Sequence, residues 1–444
     1  MPESVPPGAY IRAIEVVGLF GEFNYSLKPL DPLADPRILV LYGRNGSGKT
    51  TILKLIRSLL SDEDNAGHRT WLSSVPFERV TIFLTNNVVV EAVRKGDQGN
   101  AYKWSVKRAG AEIAAIHISA RNGRVSADSW DSAQREKYDR VRTELSSLVP
   151  SVVYLDDRRT VIRGSRSPGE PSFVTRRNLR TGMIEQYPLI SEGDEDDPVE
   201  GVLSAFAHSV RREALLLSNR GNQGAQYIYN SLVDRISSSV GSQTSISIDD
   251  VISKLNREQR RGEVLSAYGL VTSVDHSEML RAIDRAGHAG EAMLAAVLEP
   301  YVESLSARFD ALEVLHGSID RWITNLGTFL EPKQVRFRVG DDVQVISRSE
   351  KPLPAGALSS GERHLLFLLT RAFLMRSTGG LLLVDEPELS LNVEWQRRLV
   401  RAMADNFSGS ACQLIVASHS LEIAAQYEAN LVEVAESHAE IAQA

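Results

Sequence analysis

Residues 43–50 read Gly-Arg-Asn-Gly-Ser-Gly-Lys-Thr and directly follow the apolar run Ile-Leu-Val-Leu-Tyr at 38–42. Such a run is typical of a strand buried in a parallel sheet. The apolar residues at 52, 53, 55, 56 and 59 predict a helix immediately after the loop. A glycine-rich loop between a strand and a helix is the arrangement that binds phosphate in nucleotide-binding proteins. The sequence therefore predicts an α/β fold organised around this loop.

The chemistry of the loop follows from its residue types. Glycines let backbone N–H groups close around phosphate oxygens, and the helix N-terminus adds partial positive charge. Lys49 is expected to reach the β- and γ-phosphates of ATP, and the Thr50 hydroxyl to ligate Mg²⁺. The alternative, a glycine-rich turn before an ordinary helix, is disfavoured by this context. The predicted nucleotide-binding residues here are Gly43, Arg44, Asn45, Gly46, Ser47, Gly48, Lys49, Thr50 and Thr51.

A second segment places two carboxylates at the end of an apolar strand. Residues 381–387 read Leu-Leu-Leu-Val-Asp-Glu-Pro. Asp385 is predicted to complete the Mg²⁺ site. Glu386 is predicted to act as the general base that polarises the attacking water. A strand followed by a polar turn is the alternative, and the phosphate loop makes it the weaker interpretation.

Two further strings lie on either side of these carboxylates. Residues 358–363 read Leu-Ser-Ser-Gly-Glu-Arg and precede an apolar helix, so Ser359 with Glu362 predicts a capping box. A helix N-terminus also attracts anions, although in isolation this string indicates only a helix cap. Residues 413–417 predict another buried strand, and His419 follows it.

Taken together, these strings resemble the ABC-type ATPases, whose signature reads leucine-serine-glycine-glycine-glutamine. Here Ser360 replaces the first glycine and Glu362 the glutamine. The resemblance implies that Ser359 and Gly361 contact the γ-phosphate held by an opposite subunit, in a head-to-tail dimer with two ATP molecules. It also implies that His419 is the switch histidine and that residues 388–391 form the dimer-contacting loop.

The string Glu-Pro-Glu-Leu-Ser-Leu-Asn-Val-Glu-Trp-Gln at 386–396 is similar to the SMC-like and OLD-type soluble branch of that family. Members often carry histidine where this chain has Asn392. Stand-alone members include the ATPase subunits of the PARIS and Septu anti-phage systems. The resemblance covers about residues 10–160 and 334–430. The family's glutamine loop has no clear counterpart, and residues 152–159, with Arg158, are the candidate site.

The expected domain organisation is an ATPase head split by an insert. Residues 1–157 form its first half, with an antiparallel strand meander over 78–119, and residues 333–444 form its second half. The insert at 158–332 is predicted to be mainly helical, with a heptad-like helix that has Pro300 in its first turn. Before that helix come an acidic run at 192–197 and a basic loop with Arg163, Arg166, Arg176, Arg177 and Arg180.

Composition limits the possible functions. Among the 444 residues a single cysteine, Cys412, excludes an internal disulfide framework, and no signal peptide or membrane span is evident, so a cytoplasmic protein is expected. We expect an ATP-driven switch that dimerises and controls a separate nuclease or toxin effector, in bacterial anti-phage defence. The alternative is a RecF/SMC-like DNA repair clamp, suggested by the basic loop despite the net charge of −7. A transporter subunit is disfavoured by the insert and by residues 388–396.

Overall fold

The structure is a computed structural model that describes residues 9–31, 33–64, 66–94, 100–121, 123–126, 130–156, 173–177, 184–188, 198–238, 247–272 and 276–435. The chain forms two compact units. One comprises Met1–Pro198 with Ser359–Ala444, and the other comprises Val199–Leu358. The bounds 1–157, 158–332 and 333–444 expected from the sequence stay a prediction.

The N-terminal part of the first unit contains most of its strands. They are β1 (Ile11–Leu19), β2 (Phe23–Leu27), β3 (Ile38–Tyr42), β4 (Arg79–Leu84), β5 (Val88–Val93), β6 (Tyr102–Arg108), β7 (Ala111–Ile118), β8 (Val152–Leu155), β9 (Phe173–Arg177) and β10 (Ile184–Pro188). Three helices accompany them: α1 (Lys49–Leu60), α2 (His68–Ser74) and α3 (Ser132–Leu148).

The second unit is mainly helical. Its helices are α4 (Pro198–Ser238), α5 (Ile248–Ala267) and α6 (Ser277–Leu330), followed by the short strands β11 (Gln334–Arg336), β12 (Gln344–Ile346) and β13 (Pro352–Leu353). The apolar positions of the predicted heptads are largely buried in α6, including Phe309, Leu312, Ile319 and Leu326.

The chain returns to the first unit with alternating helices and strands. These are α7 (Ser360–Met375), β14 (Gly380–Asp385), α8 (Val393–Asn406), β15 (Cys412–Ser418), α9 (Leu421–Gln426) and β16 (Leu431–Glu433).

Two sheets make up the body of the first unit. Five parallel strands pair in the order β16-β3-β15-β14-β8. Six antiparallel strands pair in the order β2-β1-β4-β5-β6-β7. Helix α1 contacts strands of both sheets, and its apolar side chains join one core with them. The predicted α/β fold, with its parallel sheet, antiparallel β subdomain and mainly helical insert, is confirmed.

The structure differs from the sequence-based expectations at several elements. Pro300 lies inside α6 rather than in its first turn. Proline removes one helical hydrogen bond and usually ends a helix. Here Ala295 and Val302 on either side of it are buried against Val251 and Leu255 of α5, and this packing favours a continuous helical path.

Four other elements, two helices and two strands, fall outside the predicted pattern. Helices α2 and α3 were not expected, because neither has a long apolar run; α3 instead begins with a capping box between Asp131 and Gln134. Strands β9 and β10 pair within the segment expected to be a basic loop, so Arg176 and Arg177 belong to a strand. Arg158, Arg163, Arg166, Arg180 and the acidic run at 192–197 lie outside the described residues. No helix that the structure describes is long and apolar enough to cross a membrane.

Candidate nucleotide-binding and hydrolysis site

Three strands of the parallel sheet end side by side and bring distant motifs together. Strand β15 lies between β3 and β14, and its register pairs Ser418 with Tyr42 and Ala417 with Asp385. The residues that follow these strand ends are the phosphate loop, Glu386 and His419. Because parallel strands share one carboxyl edge, residues about 370 positions apart along the chain meet there.

The phosphate loop joins β3 to α1 and depends on glycine at two positions. Gly46 and Gly48 have φ angles of 84° and 89°, in the left-handed region that favours glycine. Helix α1 starts directly after Gly48, and its first turn has no acidic side chain. The N–H groups of that turn are therefore not opposed by a carboxylate, as an anion site requires.

Lys49 is buried over the loop it belongs to. Its Nζ donates hydrogen bonds to the carbonyl oxygens of Gly43 (2.8 Å) and Arg44 (3.0 Å), and the residue is 5% exposed. Arg44, Asn45, Gly46 and Thr50 are exposed along the same loop. The Lys49 ammonium group is thus bonded to the loop backbone, while the outer face of the loop is exposed to solvent.

Two further features of the loop matter for ligand binding. Tyr25 of β2 supports it from below, since its buried hydroxyl donates to the Ser47 carbonyl oxygen at 3.1 Å. A Cβ built on Gly48 would lie 3.0 Å from that hydroxyl, so the glycine also allows this close approach. The Ser47 Oγ is buried, and no described residue hydrogen-bonds to it. Sequence reasoning missed Tyr25, whose only signal was its inward position on an alternating strand.

Asp385 and Glu386 sit in different environments although they are adjacent. Asp385 is buried at the end of β14, and the Tyr154 hydroxyl of β8 donates to its Oδ2 at 3.1 Å. Glu386 has a partly exposed side chain and a φ of 47°. A left-handed glutamate is uncommon, costs on the order of 1–3 kcal/mol, and is found preferentially at functional sites. Tyr154 was not foreseen as a partner of Asp385.

His419 follows β15 and faces carboxylates on one side of its ring. Its Nδ1 lies 3.2 Å from Glu388 Oε1 and 3.7 Å from Glu386 Oε1. The imidazole is 40% exposed. The edge that carries Nε2 is therefore the one turned away from the carboxylates.

Ser359 and Gly361 begin α7. Ser359 is the N-cap, and it exchanges hydrogen bonds with Glu362 in a complete capping box. Gly361 packs closely against the segment after β14, because a Cβ there would lie 2.7 Å from the Ser390 carbonyl oxygen. Among the described residues, no hydrogen bond or ion pair joins Ser359 or Gly361 to residues 43–51. Their contact with a nucleotide held by another subunit stays a prediction.

Asn392 has a local role that the resemblance left open. Its side chain accepts a hydrogen bond from Trp395 N at 2.9 Å, so it is the N-cap of α8. Gln396, one turn later, donates to the Leu391 carbonyl oxygen and accepts from the Ser420 hydroxyl. These bonds connect the segment after β14 to the one after β15.

A family model described as "AAA domain, putative AbiEii toxin, Type IV TA system" matches residues 275–425. That stretch contains the signature string, both carboxylates and His419, and it leaves the phosphate loop outside. Comparison with curated proteins gave no match.

Among solved structures, the chain is similar to an Smc head domain with an extended coiled coil from Pyrococcus furiosus, bound to the C-terminal domain of ScpA. The two are 14% identical, with 96% of this chain and 95% of that chain covered and a TM-score of 0.39. It is also similar to an SMC head domain from Thermotoga maritima, at 11% identity, 97% and 100% coverage and a TM-score of 0.33. The loop geometry and the family match together support a nucleotide-binding fold of the ATPase type.

Proposed function

We propose that this protein is an ATP-hydrolysing switch. The observation that carries the proposal is the meeting of Lys49, Asp385, Glu386 and His419 at one edge of the parallel sheet. A phosphate-binding lysine, a buried carboxylate, a second carboxylate and a histidine are groups that can support hydrolysis of the β–γ phosphoanhydride of ATP.

The loop residues would hold the nucleotide. Backbone N–H groups of residues 46–51 and the Lys49 ammonium would neutralise the phosphates. The buried Ser47 hydroxyl supplies one more donor. Binding would require Lys49 to exchange the carbonyl oxygens of Gly43 and Arg44 for phosphate oxygens.

The residues present fit Mg²⁺. Thr50 offers an exposed hydroxyl and Asp385 a carboxylate, both hard oxygen donors of the kind that Mg²⁺ prefers. Within the described ranges no group of three His, Cys, Asp or Glu side chains could hold a metal. This agrees with an ion that takes one carboxylate from the protein and its other ligands from phosphate and water. Bound there, the ion would offset the charge of the phosphates.

Glu386 and His419 would act at the γ-phosphate. The Glu386 carboxylate is partly exposed beside the site, as a group that accepts a proton from water must be. His419 would approach the phosphate with Nε2, since Nδ1 faces the carboxylates.

The wider function rests on resemblance rather than on contacts. Ser359 and Gly361 would complete the site of a second copy, giving a head-to-tail dimer that closes on ATP and opens after hydrolysis. We propose that this cycle controls a separate nuclease or toxin effector in anti-phage defence in the cytoplasm. The matched family's description, which names a toxin–antitoxin system, agrees with that context. The alternative, a RecF/SMC-like DNA repair clamp, depends on the basic loop, which lies largely outside the described residues.

The test compares three proteins: wild type, K49A and E386Q. Wild type should hydrolyse ATP. K49A should bind ATP about 10- to 150-fold more weakly, from the loss of roughly 1.5–3 kcal/mol of charge-assisted bonding. E386Q should keep its affinity, lose about 10²- to 10⁴-fold in kcat, and accumulate as an ATP-bound dimer in light-scattering chromatography.

Glu394→Gln is the matched control, since that side chain is 68% exposed on α8 and forms an ion pair with Arg398 one turn later. It should behave as wild type in all three assays. Turnover in E386Q equal to wild type would remove Glu386 from the mechanism. An ATP-bound E386Q that stays monomeric would refute the dimer.

A further inference from the structure

Glu388 is a buried carboxylate whose role neither the phosphate loop nor the adjacent carboxylate pair explains. It lies two residues after Glu386, and its side chain is 4% exposed. Burying a carboxylate is costly unless hydrogen bonds and an opposite charge compensate. The partners of this carboxylate therefore indicate what it does.

Within the described residues, the hydrogen bonds that reach Glu388 Oε1 come from the last residue of β15 and from the two residues after it. The Ser418 hydroxyl donates at 2.7 Å, His419 N at 2.8 Å and Ser420 N at 3.2 Å. The other oxygen, Oε2, is buried and receives no hydrogen bond from the described residues. Glu388 Oε1 thus accepts hydrogen bonds from three consecutive residues, 418–420, which lie 30 to 32 positions later in the sequence.

The same oxygen faces the His419 ring. Glu388 Oε1 lies 3.2 Å from His419 Nδ1, closer than Glu386 Oε1 at 3.7 Å. In the part of the chain that the structure describes, His419 is the one basic side chain within ion-pair distance of Glu388. The carboxylate therefore contacts both the backbone and the ring of this histidine.

Glu386 and Glu388 belong to one tight turn. Leu389 N donates to the Glu386 carbonyl oxygen at 3.2 Å, and Leu391 N donates to the Glu388 carbonyl oxygen at 3.0 Å. Glu386 N in turn donates to the Ala417 carbonyl oxygen at 2.8 Å. Hydrogen bonds join this turn to the end of β15 at Glu386 and at Glu388. The turn and the end of β15 therefore cannot move far independently of each other.

We propose that Glu388 is a positioning residue for ATP hydrolysis, which fixes the turn at 418–420 and holds the His419 ring beside Glu386. This inference rests on the proposed function. Glu388 acts through His419 and is not expected to touch the nucleotide. Its loss should leave ATP affinity within about threefold of wild type, since Glu388 itself has no hydrogen bond to the loop at 43–50 in the described residues. The link between them is indirect, through the 3.4 Å bond that Gly43 N donates to the Ser418 carbonyl oxygen. It should lower kcat by about 10- to 100-fold, the effect of misplacing a reacting group by about 1 Å.

Two variants separate the roles of the oxygen atom and of its charge. E388A removes the acceptor altogether. E388Q keeps an amide oxygen that can accept the same three bonds, though more weakly than a carboxylate does. E388Q should therefore show an intermediate kcat, about 3- to 10-fold below wild type.

The first measurement is hydrogen–deuterium exchange of the nucleotide-free protein, followed on peptides that contain residues 418–421. The His419 amide is bonded to Glu388 Oε1, whereas the Ser420 amide also donates to the Ser418 hydroxyl at 2.9 Å. E388A should therefore exchange at least about tenfold faster at His419, and E388Q should stay close to wild type. Glu394→Ala, an exposed substitution on α8, is the control and should change nothing. Circular dichroism melting checks that each variant is folded.

The second measurement separates kcat from ATP affinity in the same variants. Fast exchange in E388A, with reduced kcat and retained affinity, supports the proposal, and partial recovery in E388Q distinguishes positioning from general destabilisation. Wild-type exchange or wild-type kcat in E388A overturns it. If E388A does not fold, wild-type kcat in E388Q overturns it instead. A wild-type protein without turnover refutes the proposed function and this inference together, whereas an active wild type with an equally active E388A refutes this inference alone.

Discussion

Gly361→Ala tests whether the signature glycine is needed inside its own subunit. A Cβ at this position would lie 2.7 Å from the Ser390 carbonyl oxygen and 3.2 Å from Trp395 Cζ3. Ordinary contacts of this type are about 3.4 Å or longer, so the backbone at Ser390 would have to move by roughly 0.5–1 Å. Ser390 has a φ of 65°, and its strained turn has little freedom to do so.

The size of the effect follows from two opposing contributions. Overpacking of this kind costs about 1–3 kcal/mol. Replacing glycine by alanine in a helix returns up to about 1 kcal/mol. The net loss should be about 1–2 kcal/mol, which corresponds to a fall in Tm of about 2–8 °C for a unit of this size.

The assay is thermal unfolding of nucleotide-free protein, which removes any contribution from contacts with ATP. Gly356→Ala is the matched control, because a Cβ there meets no atom within 4 Å and its φ is not positive. That variant should keep or slightly raise Tm. A Tm of G361A equal to or above that of wild type would show that the segment at 390 yields easily, and that the glycine is not required for this packing.

Two further predictions concern buried polar groups. Tyr154→Phe removes the donor to Asp385 Oδ2. The variant should lose about 1–3 kcal/mol of unfolding free energy in urea, and it should need a higher Mg²⁺ concentration for half-maximal turnover. An unchanged Mg²⁺ dependence would contradict a metal role for Asp385. Burial lowers the pKa of His68, although its hydrogen bond with Glu63 partly offsets the effect. At pH values between the pKa of His68 in the folded protein and its ordinary value of about 6.5, the unfolded chain binds more protons than the folded protein. The free energy of unfolding should therefore fall as the pH drops below about 6.5. His68→Gln should flatten that dependence between pH 5.5 and 7.5, and an equally steep loss in the variant would assign it to other groups.

The parts of the fold that the sequence predicts are those encoded in short strings. A short apolar run such as 381–384, bounded by turn residues, is typical of a buried strand, and a glycine-rich loop between such a strand and a helix is typical of a phosphate-binding loop. The capping box of Ser359 and Glu362 is local for the same reason, and it is present.

The contacts that support the site residues could not be predicted from the sequence, because they join residues that are far apart along the chain. Tyr154 and Asp385 are separated by 231 positions, and their hydrogen bond depends on β8 lying beside β14. Tyr25 reaches the phosphate loop only because β2 passes below it. Glu388 was assigned by resemblance to a dimer-contacting loop, and only the packed structure shows its side chain turned inward.

The contacts around residues 387–396 connect the two ends of the proposed switch within one subunit. The start of α7 touches this segment through Gly361 and Ser390, and through a hydrogen bond between His364 Nε2 and the Pro387 carbonyl oxygen at 2.9 Å. The same segment holds the turn of His419 through Glu388 and Gln396. If the start of α7 contacts the ATP of a second copy, as we propose, this segment offers a direct path of contacts from that ATP to His419. Binding at the partner's site and hydrolysis at the chain's own site would then be coupled by packing, and substitutions at Glu388 should weaken that coupling without reducing affinity for ATP.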